Sequence, residues 1–215
     1  MKIIIIAAMT ADGKIATRRG NSAISSNADL KRLHQLRNSA DAVMVGISTV
    51  LVDDPQLTVR FGMGGSRSPA RVVVDSTGRI PSNSKLLKKA NVTKTIVAAS
   101  NRITTDNIHR IENSGAKVLV AGRNKVELRK VFHILEKMGY KRILVEGGGE
   151  LNWSILKLGI VDELIITISP RIVGGRTATT LVEGEGCNRI SEGMSLKLRD
   201  VKRHANGEIT LFYEL

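Results

Sequence analysis

Apolar positions along the chain fall into two kinds of segment that alternate with one another. One kind is short, continuous and rich in β-branched residues. Residues 3–9, 41–46, 70–75, 95–99, 117–121, 141–146 and 163–169 all read as buried strands, the last halted by Pro170. The other kind has helical spacing. Leu30, Leu33 and Leu36 follow the capping-box form Ser26-Asn27-Ala28-Asp29 and continue to about Ser39. A short helix is expected over residues 107–113, stopped by Gly115. Leu128, Val131, Phe132, Leu135 and Met138 share one helical face, with Asn124 as the expected cap and Gly139 as the stop. A further helix is expected over residues 151–158, before Gly159. The last forty residues follow a different pattern, in which alternating Leu196, Leu198 and Val201, an Asn206-Gly207 turn, then Ile209, Leu211 and Tyr213 describe an antiparallel hairpin. The order predicts an α/β fold with a mixed, mostly parallel sheet, flanking helices and a C-terminal hairpin. With no Pro-rich or Ser-rich linker and no internal repeat, residues 1–215 are expected to form a single domain.

Composition narrows the chemistry. The 215 residues carry 33 Lys plus Arg against 20 Asp plus Glu, a formal net charge of +13, which points to an anionic partner. Nucleic acid is disfavoured because the basic residues are dispersed and only three Phe, two Tyr and one Trp are available for base stacking. No apolar run approaches the roughly 20 residues that span a bilayer. Residues 3–9 end in Thr10-Ala11-Asp12-Gly13 and read as a strand entering a turn, not as a signal peptide, so a soluble, cytoplasmic protein without membrane or nucleic-acid partners is expected. A single cysteine, Cys187, excludes an internal disulfide, and the four histidines His34, His109, His133 and His204 include no pair at metal-ligand spacing.

Three segments could carry chemistry. Glu146-Gly147-Gly148-Gly149-Glu150-Leu151 joins an expected strand to an expected helix, where backbone N–H groups and the helix N-terminus favour a phosphate. Asn152 stands where a dinucleotide-binding G-x-G-x-x-G pattern would need glycine, so the junction is either a phosphate cradle of another kind or a tight turn. In the segment from Thr49 to Arg60, a helical turn would put the Thr49 hydroxyl and the Asp53 carboxylate on one face, the alternative being a cap and a Pro-terminated loop. Asp12-Gly13-Lys14 closes the first strand, where ligands of α/β sheets commonly sit, and is either such a site or an ordinary turn. Arg37, Arg60, Arg79 and Arg102 are solvated charges or phosphate clamps; Tyr140 and Trp153 read as packing residues. No Ser-His-Asp or Cys-His arrangement stands out.

In order along the chain, Met9-Thr10-Ala11-Asp12-Gly13-Lys14-Ile15-Ala16, residues 41–46, 49–60 and 69–76, Val145-Glu146-Gly147-Gly148-Gly149 and residues 158–164 resemble the riboflavin-pathway pyrimidine reductases. The resemblance spans almost the whole chain. It implies a dihydrofolate-reductase-like fold, NADPH as cofactor with NADH as the lesser possibility, and a homodimer. The absence of H-x-E and P-C-x-x-C motifs makes the chain look like the free-standing archaeal and fungal reductases, which act before deamination. The implied substrate is 2,5-diamino-6-(ribosylamino)-4(3H)-pyrimidinone 5′-phosphate, reduced to its ribitylamino form.

Carried over by motif, the resemblance puts Ala8 and Ala23 beside the nicotinamide, although some relatives have an aromatic residue at the latter place. Thr49, Asp53, Asp75, Ser76, Thr77 and Gly78 would contact the cofactor; Gly147, Gly148, Gly149, Glu150 and Leu151 would hold its pyrophosphate, with Gly122 alongside. Asn21, Arg37, Leu57, Arg60 and Glu146 would bind the substrate. Asp53 and Glu146 are the expected orienting or proton-relay carboxylates, and Arg102 or Lys85 would meet the 2′-phosphate of NADPH. The rival readings are a reductase of the same fold acting on the deaminated pyrimidinedione, a pterin or a folate, and a basic nucleic-acid-binding protein.

Overall fold

Every continuous apolar run becomes a strand in the structure, a computed structural model that describes residues 1–60 and 68–215. In chain order the elements are β1 (Lys2–Thr10), α1 (Asn27–Ser39), β2 (Ala42–Gly46), α2 (Ile47–Asp53), β3 (Ala70–Val74), α3 (Lys85–Lys88), β4 (Thr95–Ala99) and α4 (Thr105–Glu112). They continue with β5 (Lys117–Val120), α5 (Leu128–Lys137), β6 (Arg142–Gly147), α6 (Gly149–Leu156), β7 (Glu163–Ser169), β8 (Lys197–Arg203) and β9 (Ile209–Glu214). The short helices α2 and α3 go beyond the expected set. The chain divides into two compact units, one of Met1 and residues 31–144, the other of residues 2–30 and 145–215.

In the first unit, β2, β3, β4 and β5 lie in that order and all run parallel; Met44 faces Val72, Val72 faces Ile96, and Ala98 faces Leu119. Val43, Met44, Val45, Val72, Val73, Ile96 and Val97 are all fully buried, which is why these strands read as continuous apolar runs and not as alternations. Arg71 breaks the run on β3 yet is itself fully buried. Its guanidinium donates to Thr95 Oγ1 (3.0 Å from Nε) and to the carbonyls of Leu86 (3.0 Å), Lys89 (2.9 Å) and Thr93 (2.8 Å). Burial pushes its pKa down to about 10, so it stays charged at neutral pH while tying the turn after α3 to β4. Asp41 does similar work from the start of β2, accepting the N–H groups of Lys141 (2.7 Å) and Arg142 (2.8 Å).

In the second unit, β1 pairs parallel with β7, β7 antiparallel with β9, and β9 antiparallel with β8. Ile3, Ile4, Ile5, Leu164, Ile165, Ile155 and Leu156 build its core. A mostly parallel arrangement with a C-terminal antiparallel hairpin is therefore present, as the alternation of segments predicted.

Two local expectations need correction, the capping box of α1 and the cap of α5. The Asn206-Gly207 turn does join β8 to β9, closed by Gly207 N–H donating to His204 O (3.0 Å) and His204 N–H to Glu208 O (2.9 Å), and just beyond it stands Glu208. Its carboxylate accepts from the backbone N–H (3.1 Å) and hydroxyl (2.6 Å) of Ser26 at the start of α1. Ser26 does cap Asp29 N–H (3.2 Å), but the carboxylate of Asp29 turns to the Thr167 hydroxyl (2.7 Å), so Glu208 supplies the reciprocal half of the capping box from a distant strand end. For α5, the N-cap position falls at Glu127, with no side-chain cap; Asn124 stays in the preceding loop, where its carbonyl accepts from Ser100 Oγ (3.4 Å).

Candidate active site

Parallel strands open their C-terminal ends on one edge, and in the first unit three turns meet there. Asp75-Ser76-Thr77-Gly78 follows β3, Ser100-Asn101-Arg102 follows β4, and Ala121-Gly122-Arg123 follows β5. Ser100 is fully buried and joins them: its N–H (3.1 Å) and its hydroxyl (2.8 Å) both donate to Ser76 O. The N–H of Asn101 donates to Gly122 O (2.9 Å), and Val126 N–H reaches Ser76 Oγ (3.4 Å). The Asp75 carboxylate is wholly buried and is spent on its own turn, accepting Ile80 N–H (2.8 Å) and pairing with Arg79 (3.5 Å). From α4, Asn107 donates to Thr77 O (3.0 Å) and Arg110 to Gly78 O, so the backbone that carries Ser76 and Thr77 is held on every side. Lys85 is engaged with Asp54, whereas the Arg102 side chain is exposed and has no acceptor among the described residues.

Thr49 and Asp53 do lie on one helix, α2, four residues apart. That helix ends at Asp54 in a left-handed conformation (φ 39°), with its N–H donating to Val50 O. Three residues later Leu57 is also left-handed (φ 52°), while its side chain is only 1 % exposed. A bulky residue in that region costs about 1–3 kcal/mol and persists only where its surroundings over-determine it. Here α1 provides that surrounding. Buried Arg37 donates from Nη1 to Thr58 O (3.0 Å), and buried His34, one turn earlier on the same face, accepts Arg60 N–H at Nδ1 (2.9 Å). Arg60 thus has a fixed backbone and an exposed side chain.

In the second unit, β6 ends on half-buried Glu146 and on Gly147. Gly148 then adopts φ 42°, ψ 160°, a conformation reserved for glycine, and α6 begins with no side-chain cap. The backbone N–H groups of Gly149, Glu150 and Leu151 have no acceptor among the described residues, and such orphan donors at a helix start form an anion site. The lid of this turn is residues 180–183: Glu183 N–H donates to Gly149 O (3.1 Å) and Asn152 Nδ2 to Leu181 O (2.8 Å). Leu181 N–H donates to Gly13 O (3.2 Å) in the turn after β1, and the residues leading into 180–183 are stitched to the same turn. Asp12 accepts the Thr10 hydroxyl (2.6 Å) and the N–H groups of Val173 (3.2 Å) and Gly174 (2.7 Å), while Ile15 N–H donates to Thr179 O (2.9 Å). Ala8, on β1, is half-buried opposite Thr167; Asn21 and Ala23 are exposed in the loop ahead of α1, where Asn21 Oδ1 accepts Ala23 N–H (3.0 Å).

Of the residues singled out in the sequence, the first unit carries Arg37, Thr49, Asp53, Leu57, Arg60, Asp75, Ser76, Thr77, Gly78 and Gly122. The second carries Ala8, Asn21, Ala23, Glu146 and residues 147–151. Sequence reasoning passed over Ser100 and His34. A serine directly after a buried strand was the available signal for the first. Nothing local marks the second, because its partner lies 26 residues away.

The RibD C-terminal domain model matches residues 1–211. The 2,5-diamino-6-ribosylamino-4(3H)-pyrimidinone 5′-phosphate reductase of Methanothermobacter thermautotrophicus is 44% identical over 198 residues, covering 92% of this chain and 90% of that protein. The riboflavin biosynthesis protein RibD of Actinobacillus pleuropneumoniae is 39% identical over 201 residues, but the chain spans only 52% of its length. Among solved structures, RibD of Acinetobacter baumannii superposes with a TM-score of 0.84 at 25% identity, covering 99% of this chain and 57% of that one. Similarity of this extent in sequence and fold means that the chain belongs to the RibD C-terminal domain family, with its dihydrofolate-reductase-like architecture.

Proposed function

We propose that residues 1–215 act as one NADPH-dependent reductase that converts 2,5-diamino-6-(ribosylamino)-4(3H)-pyrimidinone 5′-phosphate to its ribitylamino form in riboflavin biosynthesis. The carrying observation is the 44% identity to a protein of that name, over nine-tenths of both chains. The orphan N–H groups of Gly149, Glu150 and Leu151 suit a pyrophosphate, and the pinned turns at Ser76, Thr77, Gly78 and Gly122 suit the adenosine end of the cofactor. Thr49 and Asp53 add a hydroxyl and a carboxylate to that set. Exposed Arg102 favours the 2′-phosphate of NADPH over NADH; Lys85 is drawn away by Asp54. Ala8 and Ala23 line the nicotinamide.

When bound, NADPH supplies the hydride. The chain's residues have the remaining tasks. Arg60 holds the substrate phosphate, Arg37 shapes the backbone beneath it, and Asn21, Leu57 and Glu146 contact the rest of the substrate. Opening of the glycosylamine moves the amine proton to the ring oxygen and leaves an imine, so reduction at C1′ needs one further proton at nitrogen. Asp53 and Glu146 are the groups able to relay it or to orient the substrate. No histidine base is required, since the substrate's own amine opens the ring and the protein acts mainly by holding C1′ in place.

The test is to incubate the protein with NADPH and either the diaminopyrimidinone or the deaminated pyrimidinedione phosphate and follow absorbance loss. Turnover of the diaminopyrimidinone is expected. Preference for the deaminated compound would favour the rival substrate, and no turnover with either would refute the reading. In Arg60→Ala the KM for the phosphorylated substrate should rise at least about tenfold, as for loss of a charge-assisted contact, while that for NADPH stays near wild type.

A second copy of the chain is the proposed partner. The support is the outer face of β9 and β8, where Leu198, Val201 and Ile209 are exposed in one apolar patch.

A further inference from the structure

Arg60 lies in a stretch, residues 54–60, with no regular secondary structure, follows the left-handed Leu57, and would need an external brace to keep its side chain aimed. The brace comes from α1. His34 and Arg37 are both buried, sit one turn apart on one helix face, and grip the segment at Arg60 N–H and Thr58 O. We infer that His34 is a positioning residue for substrate binding: through its Nδ1 it fixes the Arg60 backbone, and so the direction in which the guanidinium meets the substrate phosphate. The inference rests on the reading that Arg60 binds that phosphate.

The bond has a defined chemistry. A backbone N–H can only donate, so Nδ1 must be unprotonated, and any remaining ring proton sits on Nε2. The helical frame fixes the imidazole more firmly than a loop side chain could, because α1 is thirteen residues long and its His34 and Arg37 side chains are enclosed. A residue that replaces His34 must therefore present an acceptor at the Nδ1 position to keep the arrangement. Asparagine does so with Oδ1. Glutamine, one methylene longer, puts its carbonyl oxygen near the Nε2 position instead.

The test compares His34→Asn, His34→Gln and Arg60→Ala in the full chain at pH 8, measuring KM for the pyrimidine phosphate and for NADPH, with circular dichroism and thermal melting as folding controls. His34→Asn should stay within about twofold of wild type in both constants, while His34→Gln should raise KM for the pyrimidine phosphate about fivefold to tenfold, the scale of one lost hydrogen bond, without a matching rise for NADPH. Equal effects of Asn and Gln on the pyrimidine KM, or a parallel rise in both constants, would overturn the positioning role and leave His34 as a packing residue. If Arg60→Ala leaves the pyrimidine KM unchanged, the phosphate assignment itself fails. A large effect of Arg60→Ala beside a null effect of His34→Gln refutes the inference alone.

Discussion

A single methyl group at Gly149 would meet two obstacles at once. A Cβ there would sit 2.7 Å from Thr180 O and 2.7 Å from Glu183 Cγ, and the first of these is backbone that the hydrogen bond from Glu183 N–H to Gly149 O holds in place. The glycine is thus required by the packing of the 180–183 segment on the helix start, whatever the orphan N–H groups bind. Overpacking of this kind costs about 1–3 kcal/mol. Gly149→Ala should lower the melting temperature by several degrees and raise KM for NADPH about tenfold, because the turn must shift to admit the methyl. Gly139→Ala is the control: Gly139 has a left-handed φ of 88° but nothing within 4 Å of a Cβ, so it should lose stability alone. Unchanged melting and unchanged KM in Gly149→Ala would refute the account. The three consecutive glycines were conspicuous in the sequence, yet their separate reasons were not. Gly148 answers to backbone conformation and Gly149 to contact with a segment thirty residues on, and a contact of that range leaves no local pattern.

The loop that leads into the segment pressing on Gly149 is held by charge. The carboxyl of Asp12 is lowered to about 2, first by the Thr10 hydroxyl and then by the N–H groups of Gly174 and Val173. A carboxylate whose folded pKa lies below its ordinary value stabilises the folded arrangement above about pH 4 and loses that contribution as pH falls through 2. The Val173 and Gly174 amide resonances should therefore titrate in an NMR pH series with a midpoint near 2; a midpoint near 4 would show the contacts to be absent in solution. Elements of this kind separate what was legible from what was not. β2, β3 and β4 could be read directly because strands buried on both faces must be continuously apolar, and α5 because one helical face must be. The two-part cap of α1 could not, since Ser26 and Asp29 have the local capping-box form but Glu208 supplies half of it. Nor could the role of α1 as a brace: His34 and Arg37 share the helical face of Leu30 and Leu33, but they are polar residues, and polarity alone would have turned them outward.

At the scale of the whole molecule, the charge and the apolar surface raise different questions. Of the surplus of +13, the arginines with defined contacts account for little: Arg71 holds carbonyls in a core, Arg37 shapes a loop, and Arg199 is neutralised by Glu214 at 2.8 Å. A basic surface will draw in two phosphorylated ligands, but a few side chains suffice for that. The apolar surface is more demanding. All seven residues of β8 are exposed, and among the described residues no strand pairs with its outer edge. Leu198 is 50 % exposed, Val201 43 % and Ile209 36 %, and the register of β8 on β9 puts all three on one sheet face beside Leu211 and Tyr213. An uncovered apolar face next to an unpaired strand edge invites aggregation unless something covers it, and a two-fold partner can cover such a patch with its own copy. Pairing Arg199 with Glu214 within the chain also removes one of the like charges that would oppose self-association. The double substitution Leu198→Glu, Val201→Glu should therefore convert a dimer, seen by light scattering during size-exclusion chromatography, to a monomer, with far-ultraviolet circular dichroism unchanged and the melting temperature lowered by whatever association contributed. A wild-type protein that runs as a monomer at micromolar concentration, or a doubly substituted one that remains dimeric, would place the partner surface elsewhere.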